Sequence, residues 1–184
     1  MECDPNFRIK NSYEPWNEDV QRIVRNAWSQ TSLDTVKKII LQVQHEIGYA
    51  SDQLLYGVQE YFETPTEAFA KKRADCDGLA FVLGSCLESI RIPSCVVLGV
   101  VSTLDGQYGH AWVECQIFDM NSLTIMESTK PLVILNDLDT KNPYADLIYE
   151  PCMRIFPNGS ITKVDDGKYC KFLCVWQTPG RGPL

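Results

Sequence analysis

The hydrophobic pattern changes period near the middle of the chain, and that change limits the fold more than any other feature. In the first half apolar residues recur at helical spacing. Val20, Ile23, Val24, Ala27 and Trp28 fall on one face of a helix. Ser32 is placed to cap a second helix, with Leu33, Val36, Ile40, Val43 and Ile47 on its buried side and Gly48 at its end. A shorter apolar segment runs from Leu54 to Phe62. Pro65 is expected to stop it, and Thr66 to cap a turn reaching Lys72. A further helix is predicted from about Cys76 to Ile90, with Pro93 just beyond. Ala80 and Phe81 widen its apolar face, so it should be buried nearly all round. Gly84 inside it costs about 1 kcal/mol relative to Ala, which implies a close neighbour there.

After Pro93 the period falls to two. Cys95 to Val101 is a β-branched run suited to a central strand. Asp105-Gly106 signals a turn, and a strand is predicted from His110 to Phe118. There Ala111, Val113, Cys115 and Ile117 alternate with Trp112, Glu114 and Gln116. Leu123 to Met126, Leu132 to Leu135, Ile161 to Val164 and Tyr169 to Trp176 read as further strands, with Asn158-Gly159 and Asp166-Gly167 as hairpin turns. Helices followed by a mostly antiparallel sheet make an α+β fold. We expect one domain over residues 1–177, helical over about 17–92 and sheet over about 94–177, with 178–184 as a tail.

Composition narrows the function. The 184 residues carry 17 basic and 24 acidic side chains, a net charge of −7, without a basic run. Nucleic acid and anionic membrane need clustered Lys and Arg, so neither is an expected partner. No apolar run is long enough to span a bilayer, and no basic segment precedes an apolar core at the N-terminus. The expectation is a cytoplasmic protein with reduced thiols. No C-x-x-C occurs among the eight cysteines. Cys170 and Cys174 on a strand would lie about 13 Å apart, too far to share one zinc ion. No metal and no cofactor are expected. Asn158-Gly159-Ser160 reads as a turn, Asp165-Asp166 as another, and Trp16, Trp28 and Trp176 as packing residues.

One thiol stands apart. Cys76 lies where a loop ends and a buried helix begins, and unpaired amides with the positive end of the helix dipole favour a thiolate there. Asp75 and Asp77 flank it and act in the opposite direction. Cys86, Cys95, Cys115 and Cys174 fall at inward positions as small hydrophobes, while Cys3, Cys152 and Cys170 have no assigned place. A thiol nucleophile needs a base. Of the two histidines, His45 lies off its helix's apolar stripe, whereas His110 opens a strand after a Gly-containing loop. Glu127 ends the following strand. If the two strands form a meander, its carboxylate can accept the imidazole N–H and fix the tautomer. Trp112 shares the face of His110 and could wall a substrate groove or shield the His–Glu pair from water. Tyr61 is a further substrate-binding candidate.

Three segments in order, Ala74-Asp75-Cys76-Asp77-Gly78-Leu79-Ala80, Gly109-His110-Ala111-Trp112-Val113-Glu114 and Met126-Glu127-Ser128-Thr129, resemble the Cys, His and acid boxes of the transglutaminase-like superfamily. The likeness is greatest to its microbial branch of cysteine peptidases. Ile47 to Asp52, Glu60-Tyr61-Phe62 and Pro65-Thr66-Glu67 add to it, so that it spans roughly residues 36–130. The chain departs from the usual pattern at Ala74, where Gly is common, at Asp77-Gly78, and at Glu-Ser-Thr, where Asp-Pro-Thr is more frequent. The resemblance implies a papain-like core, with a helix carrying Cys76 against a sheet carrying His110 and Glu127. It also implies acyl transfer from a protein or peptide through a thioester on Cys76, with His110 moving protons and Glu127 orienting it. A peptidase or amidase is the leading expectation. Transglutaminase or deamidase activity, or a binding module keeping the fold without turnover, are the alternatives. Oligomeric state leaves no mark in the sequence.

Overall fold

A computed structural model describes residues 5–118, 120, 123–129, 134–136, 141–142 and 147–164. The first half is helical: α1 (Pro5–Lys10), α2 (Glu18–Ala27), α3 (Ser32–Glu46), α4 (Asp52–Tyr56), α5 (Pro65–Lys71) and α6 (Cys76–Ser89). Two short strands, β1 (Gly48–Tyr49) and β2 (Arg73–Ala74), pair in parallel between them. The second half supplies β3 (Ser94–Thr103), β4 (Gly106–Gln116), β5 (Leu123–Met126), β6 (Ile134–Asn136), β7 (Lys141–Asn142), β8 (Leu147–Ile155) and β9 (Ile161–Lys163). These form an antiparallel sheet in the order β6-β5-β4-β3-β8-β7, with β9 also on β8. The fold is α+β, as the change of period predicts.

The organising element is α6. Its residues from Asp77 to Leu87 are all buried, which matches its nearly uninterrupted apolar sequence. It packs on β3 and β4 through Val96, Leu98, Ala111, Val113 and Cys115, while α2, α3 and α5 cover its other side. The close neighbour implied by Gly84 is Tyr13. The ring edge of Tyr13 meets Phe81, its hydroxyl donates to the Ile155 carbonyl and accepts from the Val96 amide, and a Cβ on Gly84 would collide with it. The opposite face of the sheet carries a smaller apolar cluster of Cys95, Val97, Val101, Trp112, Ile125 and Tyr149. A bidentate pair between Arg154 and Glu114 crosses that face at 2.6 and 3.1 Å.

Several local expectations change. Thr31, not Ser32, caps α3, because its side chain accepts from the Asp34 amide. Pro65 begins α5 instead of ending an element. It sits at the first helical position, where its missing N–H costs nothing, behind a capping box of Thr64 and Glu67. Trp16 and Trp28 are 83% and 70% exposed, not packed. Trp28 caps α2 with extended backbone, which carries its ring off the apolar stripe. β4 starts at Gly106, so His110 lies inside a strand, not at its start. The central strand β8 has no counterpart in the sequence reading. Pro151 argues against a ladder strand there. The structure accommodates it at a bulge, where Leu98 pairs with Met153 but Gly99 pairs with Pro151, so that Cys152 is the extra residue of the bulged strand. The Asp166-Gly167 turn, the Tyr169–Trp176 strand and the tail lie outside the described residues. Among the described residues, no helix is long and apolar enough to cross a membrane.

Candidate active site

Cys76 is the first residue of α6, and Asp75 caps the helix by accepting from the Asp77 and Gly78 amides at 3.1 and 3.3 Å. The parallel pair of β1 and β2 holds the chain just before this cap: the Gly48 amide donates to the Lys72 carbonyl and the Ala50 amide to the Ala74 carbonyl. Gly78 permits a close approach, since a Cβ there would meet the Glu63 carboxylate and the Ala74 side chain. Cys76 is half-buried, and the backbone amide of Ala111, the residue after His110, is near enough to favour its thiolate. Burial pushes the thiol well above its ordinary range. The charges of Asp75, Asp77 and Glu60 act in the same direction, and the Ala111 amide acts against them. Tyr49 stands near this thiol, and its phenol is pushed up to about 12 by burial and then by Cys76.

His110 faces Gly99 across the β3–β4 ladder. Its Nε2 lies 2.7 Å from Glu127 Oε2, so Nδ1 is the nitrogen left for another partner. The adjacency follows from the meander: Val113 pairs with Met126, and Glu127 is the next residue past β5. Glu127 is buried, yet its carboxylate is well supplied with donors. Oε1 accepts the Thr129 amide at 3.1 Å and the Thr129 hydroxyl at 2.7 Å, while Oε2 also accepts the Tyr149 hydroxyl at 3.1 Å. Burial raises the pKa of this group, but the bond to His110 and the bonds from Thr129 outweigh it and hold the carboxyl below its usual range.

The two candidate substrate contacts have other surroundings. Trp112 is fully buried, so it does not wall a groove. It stacks on His110 with ring centroids 6.4 Å apart and meets Tyr149 edge-on at 5.1 Å. Gly99 makes room for it, since a Cβ there would strike the indole and the Glu150 carbonyl. Tyr61 is engaged on both ring faces, by Tyr56 at 3.9 Å and by the Arg8 guanidinium at 4.0 Å, and its hydroxyl donates to Glu67 at 2.8 Å. Lys71 covers the outer face of Tyr56. This stack braces the segment between α4 and α5.

That segment brings together a group the sequence reading did not join. Oxygens of Asp52, Glu60, Asp75 and Asp77 all lie within 4.8 Å of one another. Asp52 and Asp77 are each only 2% exposed. Asp52 accepts the Tyr61 amide through Oδ2, but its Oδ1 and both oxygens of Asp77 meet no donor among the described residues. Burial, followed by the charge of Asp75, pushes Asp52 and Glu60 up to about 8, and burial raises Asp77 well above the carboxylate range. Neighbouring Glu63 is fully buried, accepts from the Tyr56 hydroxyl and is pushed up to about 7, chiefly by burial. Asp52, Glu60 and Asp77 fit no short metal motif, because the loop fold and not their spacing joins them. Tyr149 carries no sequence signal of its own, because Pro151 conceals the strand that holds it.

The transglutaminase-like superfamily model matches residues 19–122, more than half of the sequence. The chain belongs to this superfamily. Among solved structures, Legionella pneumophila LapG superposes with a TM-score of 0.58 at 14% identity, covering 96% of each chain. LapG described as calcium-bound gives 0.58 at 14% identity over 89% of this chain and 90% of that one. A crystallised TGase gives 0.49 at 13% identity, and this chain spans 34% of its length. No protein with a curated description matches the sequence. At such identities the structural likeness concerns the fold, and it accords with a papain-like α+β core around α6 and β4.

Proposed function

We propose that this chain is a cysteine-dependent acyl-transfer enzyme, a peptidase or amidase, that works through a thioester on Cys76. The observation that carries the reading is the 2.7 Å bond between His110 Nε2 and Glu127, on the strand against which the helix that begins at Cys76 packs. With Nε2 committed to the acid, Nδ1 is available to the thiol. In the first step the Cys76 sulfur attacks the substrate amide carbonyl while Nδ1 takes the thiol proton. The imidazolium then gives that proton to the leaving amine as the C–N bond breaks. Glu127 orients the ring and stabilises its charged form. The N-terminus of α6, through the Cys76 amide, is the donor for the developing oxyanion. Water, assisted by the same imidazole, then releases the acyl group.

The four-carboxylate cluster fits a hard divalent cation held by oxygen ligands, and LapG, described as calcium-bound, makes calcium the ion to test first. The fit rests on the orphaned buried oxygens of Asp77 and Asp52, which a cation would satisfy. Asp52, Glu60, Asp75 and Asp77 would hold it, and when bound it would offset their mutual repulsion and fix the helix start beside the nucleophile. The test uses p-nitrophenyl acetate in calcium-containing buffer. A stoichiometric burst of nitrophenol, with an acetyl group found on Cys76 by mass spectrometry, is expected. Acetylation spread evenly over the thiols and unchanged by His110→Ala would sink the reading.

A further inference from the structure

We infer that Tyr149 is a positioning residue for the acid of the catalytic apparatus, and that it is what allows this chain to use a glutamate there. The inference rests on the proposed roles of Cys76, His110 and Glu127. A glutamate has one more rotatable bond than an aspartate, so its carboxylate must be held by something outside its own backbone if it is to present one lone pair to the imidazole. Thr129 holds Oε1 from within the same turn, with both its amide and its hydroxyl. That fixes one oxygen and leaves the carboxylate able to pivot about it. The Tyr149 hydroxyl fixes the other. It donates to Oε2, the same atom that meets His110 Nε2, and it comes from β8, two strands away from β4 in the sheet.

The phenol is itself firmly placed. Tyr149 is 1% exposed, and its ring packs edge-on against Trp112. Trp112 in turn stacks on the His110 ring, and Gly99 keeps the space that the indole occupies. The acid and the base are therefore referenced to one aromatic pair: Glu127 by a hydrogen bond from Tyr149, and His110 by contact with Trp112. With the carboxylate pinned, the neutral imidazole carries its proton on Nε2 and keeps its Nδ1 lone pair for the thiol. Without the hydroxyl, the carboxylate gains a second orientation in which it no longer selects that tautomer.

Tyr149→Phe tests this, because it keeps the ring against Trp112 and removes one oxygen. The burst phase with p-nitrophenyl acetate is expected to slow roughly threefold to tenfold, the scale of one ordinary net hydrogen bond. The same substitution in a Glu127→Gln background is expected to add little, since the group it positions is already altered. The second readout is the nitrogen-15 spectrum of His110 in a Cys76→Ala background, in alkaline buffer, with exposed His45 as internal reference. Tyr149→Phe is expected to raise the Nδ1–H tautomer from a trace to a measurable population. A thermal melt checks that the variant remains folded. A slowed burst with unchanged tautomers, or a slowing as large in Glu127→Gln as in the parent, would show that Tyr149 acts only through packing and would overturn the inference. If Glu127→Gln is impaired while Tyr149→Phe matches the parent, the inference fails and the reading of the acid stands. If Glu127→Gln also matches the parent, the assigned role of Glu127 falls and the inference falls with it.

Discussion

Glu127 and Glu63 are both buried glutamates, and their surroundings drive them in opposite directions. Glu127 collects two bonds from Thr129, one from Tyr149 and one with His110, and it stays a carboxylate. Among the described residues Glu63 has only the Tyr56 hydroxyl and leaves Oε2 without a donor, and burial, with the charge of Asp75, pushes its pKa up to about 7. Burial is the largest single influence on each and raises the pKa of both. What separates them is the number of donors, and the same difference separates the His110 side of the site from the acidic cluster around Asp77.

The largest expected effect tests whether the well-supplied side is the chemical one. His110→Ala should lower the nitrophenol burst rate by about 100-fold to 10,000-fold, the usual worth of a positioned general base, and Cys76→Ala should abolish the Cys76 adduct. A loss under threefold for His110→Ala would break the comparison at its root. Effects of a few kcal/mol are expected from the undersupplied side. Calcium at 100 times its dissociation constant should stabilise the fold by about 2.7 kcal/mol, seen as a rise in Tm that a chelator reverses and Asp77→Asn removes. A Tm unaffected by calcium, magnesium and chelator alike would mean that the cluster holds protons, not a cation.

The two glutamates should also leave opposite marks on the pH dependence of stability. Glu63 has a raised folded pKa, so the chain binds more protons folded than unfolded between pH about 4.5 and about 7, and stability falls across that window. Glu63→Gln should remove that loss, stabilising the fold by up to roughly 3 kcal/mol at pH 8 and by almost nothing at pH 4. Glu127 has a lowered folded pKa, so its contribution is present above its unfolded value and disappears as pH falls through the folded one. Glu127→Gln should therefore destabilise at neutral pH and converge on the parent in acid. Urea titrations at a series of pH values separate the two slopes, and slopes of the same sign would refute the assignment. The smallest effect is expected from Thr129→Val. It removes one of two donors to Oε1 and leaves the amide, costing about 1 kcal/mol. Chemical denaturation measures it, and a cost above that of Glu127→Gln would show that Thr129 matters for something other than the acid.

Much of this arrangement was legible before the fold was known. The apolar pattern located α6 to within a residue at either end, because a helix buried on nearly every face leaves few polar interruptions. The alternation after Pro93 located β3 and β4, and the meander rule put Glu127 beside His110. Other features were hidden for identifiable reasons. Pro151 disguised β8, and with it Tyr149, because a bulge excuses a proline that a regular ladder would reject. The acidic cluster draws on residues 52, 60, 75 and 77, which are adjacent only because β1 and β2 pair and the Arg8, Tyr61, Tyr56 and Lys71 stack folds the intervening loop back. Trp16 and Trp28 misled because size favours burial on average and says nothing about where a helix cap directs a particular ring.

Asp75 belongs to two structures at once. Its Oδ1 accepts the Asp77 and Gly78 amides that begin α6, and the same carboxylate stands among the four that surround the candidate cation site. A single side chain thus joins the acidic cluster to the first turn of the helix that carries the thiol. An ion of the wrong radius would draw on that side chain and so transmit its size to the sulfur as a displacement, whatever its charge. Were a cation bound there, its selectivity would be a matter of mechanical tolerance, set by how far the first turn of α6 can shift with Asp75.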